Sequence, residues 1–402
     1  MKSFKAYLAV IFAFSIFIPA QLFAQENEAL IINRLNTVIK PIETLNPTAD
    51  FKDIGFLKER LKDKELIALG EVTHGTAEVY EYRDRLVRFL VTTLGYKAIA
   101  FESDFTALEN VDNYITGKTD SLVFLFGSPV ISTNRSMIEW LKKYNQDKSD
   151  SDKVHVYGIE ARGFTNVINK VIELNPSIES VDKVFLEKIS LKPYQKIEKQ
   201  EIKDIKGILT KLRNLEGSDL SKHYIEMLNQ VTDGYYETKI GYRDRVMASN
   251  IIWIKERAKD NKLILWAHNG HVAKTELYNN PAAGMLLHRK YASKYFMIAT
   301  DFNSGKAYVN VVKNKSLLGF QPYYFPEVDT KDAYEFYFKQ CKFKNFIIDI
   351  DEVSKDPILN DFLTRPLNMR MIGATSTPVN KKLSISKNFD MVVFFDKTNS
   401  SQ

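Results

Sequence analysis

Four short apolar runs in this chain each end in a small cluster of charged or imidazole side chains, and this pattern constrains the fold most. The runs and the residues that follow them are Leu66–Leu69 before Glu71 and His74, Ala98–Phe101 before Glu102, Val154–Tyr157 before Glu160 and Arg162, and Leu263–Trp266 before His268 and His271. Each run has the length and composition of a buried β-strand, and the sequence between the runs is mostly helical in pattern. The sequence therefore predicts an α/β fold in which a central sheet is flanked by helices.

The polar clusters predict where a functional site lies in that fold. In open α/β sheets, ligands bind in the crevice beyond the carboxyl ends of the parallel strands. We therefore expect the four clusters to build one site for acid–base or metal chemistry. Further strands are predicted at Tyr295–Thr300, Tyr308–Val312, Phe346–Ile350 and Met391–Phe395.

Residues 165–240 differ in composition and apolar pattern from the rest of the chain. They are rich in Lys and Glu, have apolar residues at three- and four-residue spacing, and contain no convincing strand. This pattern predicts a helical insertion lobe over the active-site cleft, within one large domain that covers residues 25–402. The alternative is a solvated helical hairpin that contacts no ligand.

Residues 1–24 are predicted to be a secretory signal peptide. Lys2 and Lys5 precede an apolar run from Ala6 to Pro19, and Ala24 offers a small residue at the cleavage site. The alternative is a membrane anchor, but the run is shorter than the roughly 20 residues that a membrane span needs. We therefore expect a periplasmic or secreted protein with no stable membrane anchor after cleavage.

Charge and cysteine content exclude other classes of protein. The net charge of +6 comes from Lys and Arg spread along the chain, whereas a nucleic-acid-binding protein normally has a clustered basic face. We therefore expect no nucleic-acid partner. Since Cys341 is the single cysteine, the chain can form no intramolecular disulfide, and its stability must come from the core.

Arg83 stands out in the helix predicted from Ala77 to about Leu94. It falls inside the apolar stripe of that helix, with Arg85 and Arg88 on the opposite side, and Glu78 in the first turn opposes the positive helix end. A guanidinium in a core-facing position needs a carboxylate partner or a ligand, since an unpaired buried charge is costly. Glu71 and Glu102 are plausible partners. The alternative is that the head of Arg83 reaches solvent.

The histidines supply the predicted chemistry. His74 follows Glu71 by three residues, and a carboxylate beside an imidazole fixes its tautomer for general-base catalysis. His268 and His271 are separated by two residues, so both can reach one ligand, either to bind a metal ion or to stabilise negative charge. His155 is predicted to be structural. No Gly-x-Ser-x-Gly elbow, phosphate loop or dinucleotide fingerprint is present.

Taken together, these motifs resemble the erythromycin esterase family. The segments that carry the resemblance are LGEVTHGT at 69–76, Arg83, FESD at 101–104, RDRVMASN at 243–250, WAHNGH at 266–271 and AGML at 283–286 followed by Tyr295 and Phe296. The resemblance covers roughly residues 50–310. It implies an α/β fold with a helical lobe around a deep cleft, and hydrolysis of the ester of a macrolide lactone.

The resemblance also implies roles for six residues. The family's base histidine corresponds to His74 and its adjacent acid to Glu71, while Arg83 and Glu102 correspond to its arginine and second glutamate. His268 and His271 correspond to its paired histidines. We therefore expect a small-molecule ester or lactone substrate, hydrolysis by water that His74 activates, and no cofactor, with a bound divalent metal ion as the rival account. A different class of function, an exported metal- or haem-binding protein of related fold, is the alternative.

Overall fold

The computed structural model describes residues 27–122, 133–235, 241–277, 280–377 and 379–401. The predicted signal peptide, residues 1–24, lies outside the described residues. Within the described ranges, no helix is both long enough and apolar enough to cross a bilayer.

Strands and helices alternate along the chain, as the sequence predicts. The strands are β1 Lys40–Pro41, β2 Leu66–Glu71, β3 Ala98–Asp104, β4 His155–Glu160, β5 Leu263–His268, β6 Tyr295–Lys313, β7 Ser316–Phe325, β8 Asn345–Asp349, β9 Leu367–Arg370, β10 Asn380–Leu383 and β11 Met391–Thr398. The helices are α1 27–38, α2 Leu57–Leu61, α3 Ala77–Leu94, α4 Phe105–Ile115, α5 Arg135–Asn145, α6 Phe164–Leu174, α7 Ser180–Ser190, α8 Lys199–Leu212, α9 Asp219–Gly234, α10 Tyr242–Arg257, α11 Asn269–Val272, α12 Ala283–Tyr291, α13 Tyr334–Phe338, α14 Ile350–Val353, α15 Pro357–Thr364 and α16 Ile385–Asn388. The predicted α/β class, with strands flanked by helices, is confirmed.

Contacts within the chain divide it into two compact units. Unit 1 comprises residues 1–55, 71–81 and 298–402, and unit 2 comprises residues 56–70 and 82–297. The chain passes from one unit to the other four times: just before α2, inside β2, inside α3 and inside β6.

In unit 2 the strand order is β2, β5, β3, β4, and β3 runs parallel to both of its neighbours. Gly158 in β4 lies so close to the end of β3 that a Cβ there would be 2.4 Å from the backbone of Asp104. Asp104 then caps α4 through the backbone N–H of Ala107 at 3.0 Å. Helices α6 to α9 follow β4 in the predicted insertion, of which residues 236–240 lie outside the described part.

In unit 1 the strand order is β1, β8, β11, β6, with β11 parallel to β6 and antiparallel to β8. Strand β7 pairs antiparallel with β6, and β9 and β10 form a separate two-stranded sheet. The predicted strands Tyr295–Thr300 and Tyr308–Val312 are one continuous strand. This prediction was wrong because Asp301 to Gly305, polar enough to resemble a loop, pair with β11.

Helix α3 has the predicted bounds, and Gly95 follows it with a φ of +73°. The prediction that Arg85 and Arg88 lie on an exposed polar face of this helix was wrong, because every residue from Tyr82 to Val91 is buried, whereas Glu81 is exposed. Arg88, expected on the solvent side, instead forms hydrogen bonds of 2.8 and 3.0 Å with Asp84 one turn earlier. A buried ion pair of this kind looks the same in sequence as an exposed one.

Candidate active site

The first candidate group lies in unit 1, where β2 ends at Glu71 and a tight loop leads into α3. His74 Nδ1 lies 2.7 Å from Glu71 Oε1, and the Tyr80 hydroxyl donates to the same oxygen at 3.3 Å. Glu71 is buried, whereas His74 exposes 21% of its side chain. A carboxylate bound to Nδ1 selects the tautomer and directs proton transfer to Nε2, as a general base requires.

Backbone hydrogen bonds within unit 1 hold this loop in place. The N–H groups of Tyr308 and Ser401 both donate to Gly75 O at 2.9 Å, and Gly373 N donates to Val72 O at 3.0 Å. Gly75 has a φ of +68°, and a Cβ there would lie 2.4 Å from the Cβ of Tyr308. The close approach of β6 therefore requires glycine at this position.

The start of α3 is tied to the end of β11, also within unit 1. Thr398 Oγ1 and Asn399 N each donate to Glu78 Oε2 at 2.7 Å, and Asn399 Nδ2 donates to Glu78 Oε1 at 2.7 Å. Ala77 N returns a bond of 2.9 Å to Asn399 O. Glu78 therefore anchors a distant segment, in addition to the predicted role of opposing the helix end.

Arg83 is completely buried in unit 2, as its place in the apolar stripe predicts, so the alternative of a solvent-exposed head is wrong. Its Nη2 donates to Leu69 O in β2 at 2.7 Å. Its guanidinium carbon lies 3.6 Å from the ring centroid of Trp266 in β5. Arg83 therefore contacts the ends of the adjacent strands β2 and β5. Such contacts are typical of a residue that positions other residues of a site.

The second candidate group, called here the Glu102 cluster, consists of Glu102, Arg243, His268 and His271 and lies in unit 2. Glu102 Oε2 accepts a hydrogen bond from His268 N at 2.9 Å and lies 2.8 Å from His268 Nδ1. Glu102 Oε1 accepts from Arg243 Nη2 at 2.8 Å and lies 3.5 Å from His271 Nε2. One buried carboxylate at the end of β3 therefore organises both histidines at the end of β5.

Arg243, in the first turn of α10, connects this cluster to the end of β4. Its Nε and Nη2 donate to Glu160 at 2.7 and 2.9 Å, and its Nη1 lies 2.9 Å from His271 Nε2. Arg162 Nη2 donates to the same Glu160 at 2.6 Å. The other ring nitrogen of His271, Nδ1, lies 2.8 Å from Asp244 Oδ1. Each polar group at the strand ends is therefore held by at least one charged neighbour.

These neighbours set the protonation of the cluster. Burial alone would raise the pKa of Glu102, but His268, His271 and Arg243 hold this pKa well below its ordinary value, so Glu102 is ionised. Burial alone would lower the pKa of His271, but Glu102 and Asp244 raise this pKa above its ordinary value. Nε2 of His271 can accept from Arg243 Nη1 at 2.9 Å when it carries no proton, and it lies 3.5 Å from Glu102 Oε1.

A metal ion is the other chemistry that these side chains offer. Glu102, His268 and His271 each offer one ligand atom, and these three atoms lie within 4.8 Å of one another. Nitrogen and oxygen ligands of this kind bind divalent transition metals. However, the Arg243 guanidinium contacts both Glu102 Oε1 and His271 Nε2. An ion bridging these two atoms would require Arg243 to move away.

The structure thus pairs Glu71 with His74 and gathers Glu102 with His268 and His271, and it buries Arg83 in unit 2. Sequence reasoning placed Glu160 in one of the strand-end clusters but gave it no role, and it did not predict Arg243 and Asp244 as site residues. A signal was present, because Glu160 follows a predicted strand and Arg243-Asp244 begins one of the segments that carry the family resemblance.

Comparison with known proteins connects this chain to a family. A model of the erythromycin esterase family matches residues 91–398. YbfO of Bacillus subtilis, which its name classes provisionally as a hydrolase, is 25% identical over 288 residues, or 58% of this chain and 62% of YbfO. The chain therefore spans less than two thirds of the length of that relative. Erythromycin esterase type II of Escherichia coli is 22% identical over 339 residues, or 72% of this chain and 78% of that enzyme.

A solved structure agrees at the level of the fold. It is a mutant erythromycin esterase in an open conformation, and it aligns with a TM-score of 0.68 over 89% of this chain and 96% of its own. The sequence identity is 18%, so this likeness concerns the fold alone.

Proposed function

This chain belongs to the erythromycin esterase family, and on that premise we propose that it hydrolyses a carboxylic ester, with the lactone of an erythromycin-type macrolide as the substrate. The Glu102 cluster carries the proposal, because one ionised carboxylate holds two imidazoles and a guanidinium within the matched region. Such a set can stabilise an oxyanion and transfer protons. The names of the relatives support the coarser class, a hydrolase.

In the proposed reaction, His74 accepts a proton from water while the water oxygen attacks the ester carbonyl carbon. Glu71 keeps His74 in the tautomer whose Nε2 accepts that proton. His268 stabilises the tetrahedral oxyanion, and His271 donates a proton to the leaving alkoxide as the C–O bond breaks. The products are a carboxylate and an alcohol, and no covalent enzyme intermediate forms.

His271 is the proton donor in this scheme because Glu102 and Asp244 raise its pKa, which increases the fraction of His271 that carries the proton. Arg83 and Glu102 are positioning residues in this scheme. Arg83 holds the ends of β2 and β5 through Leu69 and Trp266.

We propose that the reaction needs no metal ion, because Arg243 already supplies positive charge where an ion would bind. Activity is expected to survive exhaustive treatment with a chelator. Loss of activity to the chelator, and its recovery with one specific divalent ion, would replace this scheme with a metal-dependent one and make His268 and His271 ligands.

The decisive experiment incubates the purified protein with an erythromycin-type macrolide and measures the product mass. A gain of one water, with the lactone opened, is the expected result. His268→Gln should remove this activity. The matched control is His155→Gln, because His155 also contacts a carboxylate, Asp112 at 3.1 Å, but lies in β4 away from the Glu102 cluster.

Two results would contradict the proposal. If simple esters are hydrolysed and the macrolide is not, the macrolide assignment is wrong and ester hydrolysis stands. If His268→Gln is as active as His155→Gln, the Glu102 cluster does not carry the chemistry.

A further inference from the structure

The hairpin formed by β6 and β7 in unit 1 exposes large apolar side chains on both faces of β7. Every residue of β7 from Ser316 to Tyr324 is exposed, and only Phe325 is buried. The large apolar side chains, with their exposed fractions, are Leu317 64%, Leu318 53%, Phe320 39%, Tyr323 37% and Tyr324 58%. A cluster of exposed large apolar side chains in one short strand often marks a binding surface.

The hairpin is well defined rather than a loose loop. Asn310 N donates to Ala374 O at 3.0 Å, and Ser376 N returns a bond of 3.1 Å to Asn310 O. The turn at its tip consists of Asn314 and Lys315, both with left-handed φ values, 51° and 65°. Two residues of this conformation form the tight turn that matches the twist of two antiparallel strands. The exposed side chains are therefore presented by an ordered backbone.

Charge accompanies the apolar side chains. Residues 305–325 contain the three lysines Lys306, Lys313 and Lys315, and no Asp or Glu. Lys313 and Lys315 lie at the turn, and Leu317 and Leu318 follow directly and point to opposite faces of the strand. Apolar side chains flanked by basic ones bind anionic lipid surfaces, since the apolar groups enter the interface and the ammonium groups meet phosphates.

The two tyrosines further along β7 fit the same partner. Tyr323 and Tyr324 lie away from the turn, toward the base of the hairpin. Tyrosine favours the boundary between the polar headgroups and the hydrocarbon, because its ring is apolar and its hydroxyl is polar. The order along the hairpin, leucine at the tip and tyrosine toward the base, is the order that shallow insertion requires.

A second copy of this chain fits the hairpin less well. Among the described strands β7 pairs with β6 alone, so its outer edge is open to another strand. The N–H groups of Tyr308 and Asn310 in β6 point away from β7. Their partners in β7, Pro322 and Phe320, therefore direct their own backbone polar groups away from β6, to the outer edge. Proline has no N–H to donate, which disfavours pairing with another strand. Two paired hairpins would also bring their lysines together.

We propose that the tip of this hairpin, residues 313–318, docks the protein on the surface of a bilayer that contains anionic phospholipid. The docking is peripheral and reversible, through Leu317 and Leu318 in the interface and Lys313 and Lys315 on the phosphates. It is independent of the hydrolase activity proposed above, and either can fail without the other.

Co-sedimentation with vesicles tests the proposal. The purified protein without the predicted signal peptide, residues 1–24, is mixed with vesicles of phosphatidylcholine, with or without phosphatidylglycerol, at low and at high salt. Binding is expected to the phosphatidylglycerol vesicles and to weaken with salt. Leu317→Ser with Leu318→Ser should lower the partition coefficient about tenfold or more. Lys313→Gln with Lys315→Gln should lower it about 25-fold, which is about fivefold for each charge.

The matched control is Val181→Ser with Val184→Ser on α7, whose side chains are 70% and 65% exposed. This variant should bind as the parent does, and any contribution from residues outside the hairpin is common to all variants. Equal binding by the parent and both hairpin variants would overturn the proposal. So would a dimer in sedimentation equilibrium that the leucine substitutions dissociate, because the patch would then be covered by a second copy.

Discussion

Two histidine–carboxylate contacts in unit 2 show why the surroundings of a residue, and not its type, decide its role. His155 contacts Asp112, whose carboxylate also accepts from the backbone of Val156, and the pair fixes β4 against α4. Glu102 instead contacts His268 through one carboxylate oxygen and accepts a hydrogen bond from the Arg243 guanidinium through the other. The first arrangement satisfies a local structure, whereas the second concentrates titratable groups at the end of a strand.

His74→Ala should lower kcat by about 10²-fold or more while the protein remains folded, the usual scale for a positioned general base. Glu71→Gln should also lower kcat, because the glutamine no longer selects the tautomer of His74. The double variant should be no slower than His74→Ala, since groups that act as a unit are not additive. Steady-state kinetics and circular dichroism check this, and multiplicative losses would contradict the assigned pairing.

The pH dependence of kcat should report His271. If protonated His271 donates to the leaving group, kcat falls as pH rises through the raised pKa of this residue. Asp244→Asn removes one cause of the raised pKa, so the fall in kcat should move to lower pH. Asp244→Glu should restore the parent profile. A profile that is the same in the parent and in Asp244→Asn would show that His271 does not supply the proton.

The residues at strand ends could be predicted from sequence, but the residue that joins them could not. Glu102 follows an apolar run directly, and His268 and His271 come two and five residues after the end of another run, so their placement could be predicted from local pattern. Arg243 begins a helix and binds Glu160, which lies 83 positions earlier in the chain. An arginine in the first turn of a helix gives no sign of a partner so distant, because that contact depends on how the elements pack.

The elements of unit 1 yield a prediction about the His74 loop. Glu78→Ala removes three hydrogen bonds from Thr398 and Asn399 and should destabilise the protein by about 1–3 kcal/mol. It should also lower kcat with little change in KM, because the start of α3 follows the loop that carries His74. Urea unfolding and kinetics measure the two effects.

The matched control for this prediction is Glu81→Ala, which removes an exposed glutamate from the same helix one turn later. It should leave both stability and kcat close to those of the parent. Equal effects of the two substitutions would mean that helix charge, rather than the contact with Thr398 and Asn399, is responsible.

Elements with a simple burial pattern were predicted well, and those with buried polar residues were not. The strand β2 is buried throughout, and its apolar run predicted it directly. In contrast, β6 carries Asp301, Asn303 and Ser304 in its buried interior, and this polar stretch was interpreted as a gap between two strands. Strand prediction from periodicity depends on the pattern of apolar residues. It is therefore wrong where a strand buries polar groups, because only the tertiary packing explains their burial.

Across the whole molecule, buried charge lies not only at the candidate site but also in the core of unit 1. Asp301, Glu335 and Arg370 are all buried, and one oxygen of each carboxylate has no hydrogen-bond partner within the described ranges. Arg370 Nη2 donates to the carbonyl oxygens of Asn303 and Pro326 rather than to either acid. Burial is therefore the main influence on the two carboxyl groups. It raises the pKa of Asp301 well above its ordinary value and the pKa of Glu335 to about 7.

This core predicts how the stability of the protein depends on pH. Because the pKa of Glu335 is about 7 in the folded protein and about 4.5 when unfolded, the folded state binds more protons between these values. The contribution of Glu335 to the free energy of unfolding should therefore fall as pH rises through this window, by on the order of 1–3 kcal/mol. Urea unfolding at a series of pH values measures it. Glu335→Gln is neutral at every pH, so the stability of the parent relative to this variant should fall from pH 4.5 to 7, whereas no such fall is expected relative to the control Glu256→Gln, an exposed glutamate. A difference between the parent and Glu335→Gln that does not change over this range would show that burial does not raise the pKa of Glu335.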